Sequence, residues 1–426
     1  MAATSRCPVA ADAHVQEEAF VVNMIDVSSV SHPARPTVAE VFVHAATLIH
    51  RAAGAIWPDE RVVLEAHVPS VTGYVHRARV GNRTLYAKTS LLGVSLVSLL
   101  RGMYGNWPAV REAQRAYVQR PDSLLQREAK QLRVLADLDG PRVCAVAGAQ
   151  GGVVFTEAVV GPTLADLLLT YPGATKTLVG RCLAELRPLH RPDAARRLGF
   201  ARTITERSID GTFCRKFDGE DAAAYVIQLG TERWCDEGDL VAELVRASVC
   251  RLLALRRTLP APAAGNGLAY GDLKPEHALF PEGPDRRPTF LDPGLLRASP
   301  MVDVVKLMSR TVLYLVARRP DPAAVHLILD GLAMVARSHA GHLPLKDRRE
   351  TPRHLLVLWL MDTVNVLTTY LSAPAALPLP GLGSALVERA VPVCSLVDAV
   401  SADLMDPSGR RGLGDRTLAR IAEVIV

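Results

Sequence analysis

The sequence predicts an α+β protein of two lobes, a small β-rich lobe followed by a larger helical one, and three observations predict it. Short runs rich in β-branched residues, punctuated by Gly, fill Val62 to Thr89 and recur between Arg142 and Val160. Past Gly161-Pro162 the chain becomes mainly helical in its spacing of apolar residues. At 426 residues it also exceeds what one small core needs, on a prior of roughly 100 to 200 residues per domain.

Residues 1–36 show no sustained periodicity and end in SHPARP, so they read as a mobile arm. TVAEVFVHAATLIHRAAGAI reads as the first helix, with Thr37 as N-cap and Val41, Ala45, Leu48 and Ala52 along one face. RVVLEAHV, GYVHRARV and RTLYAKTS then form a strand series with a hairpin at Gly81-Asn82. The stretch over about 91–122 is helical in composition but broken by Gly and Pro, and reads as an insertion. SLLQREAKQLRVLADL is a helix with Ser123 as cap and Leu125, Ala129, Leu132 and Leu135 or Ala136 inward. Two strands, RVCAVAG and GGVVFTEAVV, close an amino-terminal lobe over residues 37–160. Residues 161–426 form the helical lobe, starting with TLADLLLTY, TLVGRCLAELRPLH and LVAELVRASVCRLLALRRTL, with no internal repeat.

Composition narrows the functional classes. A formal net charge of +5, from 49 basic and 44 acidic residues scattered in both signs, calls for no nucleic-acid partner and suits a polycationic ligand poorly unless acids line its site. The 7 cysteines are widely spaced and never form CxxC, which argues against a zinc site or a disulfide framework and for a reducing, cytoplasmic setting. The amino terminus lacks the basic and apolar regions of a signal peptide. LLVLWLMDTVNVLTTYL, Leu355 to Leu371, approaches the length of a membrane span, but Asp362 and Asn365 at its centre favour a buried core helix. No membrane partner is expected.

The densest group of reactive side chains is LAYGDLKPEHALF, where Asp272, Lys274 and His277 stand between two apolar runs. That pattern suits a rigid loop aiming side chains into a cleft, and equally a solvated polar turn. PTFLDPGLL follows, with Asp292 closing an apolar strand and Gly294 two residues on. Together the two segments resemble the catalytic and metal-binding loops of the kinase-like phosphotransferases, the aminoglycoside phosphotransferase and choline kinase superfamily, in which HGDxxxxN is followed by a hairpin ending in DxG. The likeness runs over most of the chain from about residue 60.

The resemblance implies a bilobal protein-kinase-like fold that transfers the γ-phosphate of ATP, with Mg²⁺ or Mn²⁺, to a hydroxyl of a small molecule such as an antibiotic, sugar or amino-alcohol. It implies Lys88 in LYAKTS on the phosphates and Glu128 in QREAKQL as its partner. Backbone around Glu157, Ala158 and Val159 would meet the adenine, Asp272 would act on the acceptor hydroxyl, and Lys274 would steady phosphate or acceptor charge. Asp292 and His277 would hold metal, and Asp303 in PMVDVVKL falls at a structural aspartate. A carboxylate for the hydroxyl, one for the metal and a lysine on the phosphates are what phosphoryl transfer needs. Three positions depart from the pattern: Tyr270 for the first His, His277 for the metal-binding Asn, and a lone Gly73 where a Gly-rich loop would cover the phosphates. Imidazole suits Zn²⁺ or Mn²⁺ better than Mg²⁺. Two other readings therefore stay open: a pseudokinase that binds nucleotide without turnover, and a kinase acting on Ser or Thr of a peptide in natural-product assembly.

Overall fold

The computed structural model describes residues 35–138, 140–191, 193–194, 208–219, 222, 225–226, 228–230, 232–233, 237–259, 267–341, 345–406 and 412–426. The arm expected over residues 1–36 lies outside these except for its last two residues. Thr37 starts α1 (Val38–Ile56) as expected: its hydroxyl accepts from the Glu40 amide at 3.2 Å, and the Glu40 carboxylate accepts from the Thr37 amide at 2.9 Å. The buried stripe is Val41, Ala45, Ile49, Ala52 and Ala53. Leu48, expected on it, is only half-buried, because four residues on from Ala45 the helix presents Ile49.

Five strands form an antiparallel sheet in the order β1-β2-β3-β6-β5, with β1 Val62–Val68, β2 Tyr74–Val80, β3 Arg83–Thr89, β5 Val146–Gln150 and β6 Val153–Glu157. Val80 pairs with Arg83 across Gly81-Asn82, and Gly81 takes φ +59°, the left-handed conformation such two-residue turns require. RVCAVAG is not one strand: Arg142–Val143 (β4) leaves the sheet to pair elsewhere, and only the residues from Val146 join β6. Alternation along β3 buries Leu85, Ala87 and Thr89 on one face and turns Tyr86 and Lys88 to the other. Helix α1 covers the first face through Ala45, Ile49 and Ala53.

The stretch expected as an insertion holds α2 (Leu96–Leu100) and α3 (Trp107–Val118). It is no appendage. Leu96, Val97, Leu99 and Leu100 join the main core of the helical half, and the Arg101 guanidinium donates to Ser372 O at 2.9 Å. Helix α4 (Leu124–Ala136) packs Leu125 and Ala129 on Val154 of β6, on the face that carries Lys88. Ser123 precedes it, but its hydroxyl makes no cap hydrogen bond.

The rest is helical: α5 (Leu164–Thr170), α6 (Thr175–Glu185), α7 (Arg187–His190), α8 (Ile209–Phe217), α9 (Gly238–Arg256), α10 (Met301–Arg318), α11 (Pro322–Gly341), α12 (Leu345–Leu371), α13 (Gly381–Glu388), α14 (Ala390–Met405) and α15 (Leu413–Ile425). Helix α12 is the hub, packing against α8 to α11, α13 and α14. Its segment Glu350–Leu371 is long and apolar enough to cross a bilayer, yet 78% of the window is buried inside the fold. It is a core helix, as its two central polar residues foretold.

Candidate active site

Two loops face Lys88, and short strands pin both. The first, Tyr270–His277, runs between β7 (Leu268–Ala269) and β8 (Ala278–Leu279); the second lies between β9 (Thr289–Phe290) and β10 (Leu296–Arg297). Strand β9 pairs with β8 and with β4, while β10 pairs with β7, so each loop is tied to the other. The Gly294 amide donates to Tyr270 O at 2.9 Å and the Leu291 amide to His277 O at 2.9 Å. The buried phenol of Tyr270 donates to Leu291 O at 2.8 Å. Tyr270 thus braces both loops from the position where the resemblance leads one to expect His.

Asp303, fully buried at the start of α10, accepts from the amides of Tyr270 and Gly271, each at 2.9 Å, and lies 2.9 Å from His190 Nε2. One carboxylate therefore fixes the backbone just before Asp272. Gly271 has φ +85°, and a Cβ there would strike Gly294 O, so only glycine lets the loops approach this closely. Asp292 itself takes φ +53°, an uncommon conformation for a residue with a side chain. Such departures gather at functional sites.

The side chains expected at the site largely converge. Lys88 Nζ donates to Glu128 Oε1 at 2.9 Å and to Asp292. Burial opposes the Lys88 charge, but Asp292 and Glu128 outweigh it and hold the ammonium above its usual value. Burial likewise works against the Asp292 carboxylate, yet Lys88, His277 and Lys274 hold it at about 2. Lys274 Nζ lies 2.8 Å from Asp272 Oδ2. Burial alone would raise the Asp272 carboxyl; Lys274, Lys306 and Arg310 overcome it and keep Asp272 well below the carboxylate range. His277 Nδ1 is 3.5 Å from Asp292 Oδ2, too long for good geometry, and makes no hydrogen bond although buried. Burial, then Lys274, lowers His277 to about 4, so its ring is neutral near pH 7.

Glu157, Ala158 and Val159 stand apart from this group, at the end of β6. The Glu157 side chain pairs with Arg83 at 3.1 Å. The amides of Glu157 and Ala158 already donate to Ala145 O at 2.9 Å and Thr84 O at 3.4 Å.

Sequence reasoning missed a second charged group beside Asp272. On α10, Lys306 and Arg310 lie one turn apart, and both bind Asp362 of α12: Lys306 Nζ at 2.8 Å, Arg310 Nε at 3.0 Å and Arg310 Nη2 at 3.3 Å. Ser309 adds a donor at 2.7 Å. Asp362 had been noticed only as an interruption of an apolar run. The signal available was that a carboxylate inside such a helix demands a counter-charge, which a basic pair at i, i+4 on a neighbouring helix supplies.

No family model matches the chain, and no curated protein matches it in sequence. Solved structures do resemble it. The apo form of a thermostable mutant of aminoglycoside phosphotransferase APH(4)-Ia is 12% identical, with a TM-score of 0.47 over 80% of this chain and 96% of that one. The GDP complex of wild-type aminoglycoside 2'-phosphotransferase-IIIa is 13% identical, with a TM-score of 0.48 over 84% of this chain and 98% of that one. An ethanolamine kinase from Plasmodium vivax is 11% identical, with a TM-score of 0.40 over 76% of this chain and 81% of that one.

Proposed function

We propose that the chain is a phosphotransferase that moves the γ-phosphoryl group of ATP to a hydroxyl of a small molecule. The observation that carries this is the convergence of Lys88, Glu128 and Asp292 beneath the sheet with Asp272 on a loop tied to the same framework. Phosphoryl transfer asks for positioning and charge neutralisation more than for covalent chemistry. Glu128 holds Lys88 in place, and Lys88 exchanges Asp292 for nucleotide phosphate. Because Asp272 is a weak base, it acts by orienting the acceptor hydroxyl and taking its proton late, as oxygen–phosphorus bonding develops. Lys274 steadies that carboxylate and the charge that builds beside it.

A divalent cation fits the donors present: an ionised Asp292 and, beside it, a neutral His277 whose Nδ1 has no hydrogen-bond partner. The described residues hold no group of three or more His, Cys, Asp or Glu placed to bind a metal alone, so phosphate oxygens and water would complete the shell. When bound, the ion supplies neutralisation of phosphate charge. Imidazole in that set favours Mn²⁺ over Mg²⁺.

A pseudokinase is the second reading, favoured by His277 in place of Asn. The test is ADP release from ATP over a panel of hydroxylated metabolites and antibiotics, with Mg²⁺ and with Mn²⁺. Acceptor-dependent release that disappears in Asp272→Ala and Asp292→Ala supports the transferase; stabilisation by ATP without release under either metal supports the pseudokinase.

A further inference from the structure

We infer that the groove between α1 and α3 binds a small organic anion, a carboxylate or a phosphate carried on an apolar ring or chain. The groove has a volume of about 690 Å³, within the roughly 300–1,000 Å³ of small-molecule sites. None of Lys88, Glu128, Asp272 and Asp292 lines it, so the inference does not depend on the phosphotransferase reading. Helical spacing builds its walls. On α1, Val43, His44, Thr47 and Arg51 fall along one stripe, and on α3, Arg111 and Arg115 stand one turn apart. The two helices meet where the His44 ring lies edge-on to Trp107, with centroids 5.3 Å apart. Helix α3 is anchored from the same side: the buried Gln114 accepts from the Leu92 amide at 2.7 Å and donates to Ser90 O at 2.9 Å.

The polar groups of the lining that could accept or compete are already engaged. Glu40 caps its own helix through the amide and hydroxyl of Thr37, the Thr47 hydroxyl donates to Val43 O at 2.8 Å, and Gln114 is held by Ser90 and Leu92. The guanidiniums are not. Among the described residues Arg51 and Arg111 form no ion pair, and Arg115 pairs with the exposed Glu112 of its own helix, a contact that solvent screens and a ligand can replace. Three guanidiniums thus line the groove against one acid that is committed elsewhere. Burial, then Arg111, Arg51 and Arg115, lowers the His44 imidazole below its usual value, which places all three cations near one ring. Beside them Val43 leaves 68% of its surface uncovered, over a floor that includes the nearly buried Trp107. Planar guanidiniums match the forked oxygens of a carboxylate or phosphate, and an apolar body on that anion would cover Val43.

The test is calorimetry on the full chain at low ionic strength with four probes: phenyl phosphate, benzoate, inorganic phosphate and phenol. Phenyl phosphate or benzoate should bind at least about tenfold more tightly than both phenol and inorganic phosphate, and whichever of the two is tighter tells a phosphate from a carboxylate site. Arg51→Gln and Arg111→Gln should each weaken that binding about tenfold, and Val43→Glu, which sets a carboxylate in the groove, should abolish it. These three side chains are exposed, so melting temperatures should stay at the wild-type value; if an Arg variant melts lower, the Val43→Glu result decides. Lys88→Met, measured below its melting temperature, should leave the affinity unchanged. No binding of either organic anion at millimolar concentration, equal affinity for all four probes, or binding that survives the Arg and Val43 variants overturns the inference. Binding that is lost in Lys88→Met overturns it too, since the probe then sits at the Lys88 site. Tighter binding of a short acidic peptide than of either organic anion also overturns it and assigns the groove to a protein partner.

Discussion

Asp272, half-buried, remains ionised because three cations outweigh the cost of desolvation. Its folded-state value lies below the ordinary one, so the carboxylate is present at every pH from neutrality down to well below 5. Turnover should show no acidic limb from Asp272 between pH 5 and 8, and a kcat profile measured in that range checks it. Replacing Asp272 by Ala should lower kcat by at least about 100-fold while nucleotide affinity, measured by calorimetry, is retained. Lys88 is different. It bridges Glu128 and Asp292, so Lys88→Met removes the ammonium that both carboxylates share, and should lower the melting temperature and weaken nucleotide binding about tenfold. His277→Asn replaces an imidazole by an oxygen donor, and Mg²⁺-supported activity should hold or rise relative to Mn²⁺; a large loss with Mg²⁺ removes His277 as a ligand.

At the scale of elements, the basic pair of α10 clamps that helix to α12 through Asp362. Burial works against the Asp362 carboxylate, and Arg310 and Lys306 overcome it, lowering it from its ordinary 3.8 to about 2. A lowered folded-state value means stability that is complete above pH 3.8 and is lost as the pH falls toward 2, worth about 2 kcal/mol. The melting temperature of Asp362→Asn should therefore lie below wild type at pH 7, with the gap narrowing across that acid window. The hairpin and α1 were legible beforehand because their signals are local: β-branched alternation around Gly81-Asn82, and a Thr followed three residues later by Glu. The Lys306–Arg310–Asp362 clamp was not, because Arg310 and Asp362 are 52 residues apart and meet only when α10 and α12 pack. The same holds for the split in RVCAVAG, where β4 is drawn from the sheet by β9, a partner far along the chain.

For the whole molecule, the fold joins a sheet carrying Lys88 to a helical body carrying two acidic loops, and the joining elements are small. Strands β4, β8 and β9 have two residues each, too short for any periodicity to reveal, yet they set where Asp272 and Asp292 stand. The candidate residues themselves were legible as motifs, since Gly271 and Gly294 mark the places where backbone must come close. The most direct measurement of the central claim is transfer of labelled γ-phosphate from ATP to a hydroxylated acceptor by wild type and by Asp272→Ala, each shown to bind nucleotide. Label in the acceptor with wild type and none with Asp272→Ala is the predicted result; label transferred equally by both, or by neither despite bound ATP and metal, contradicts it.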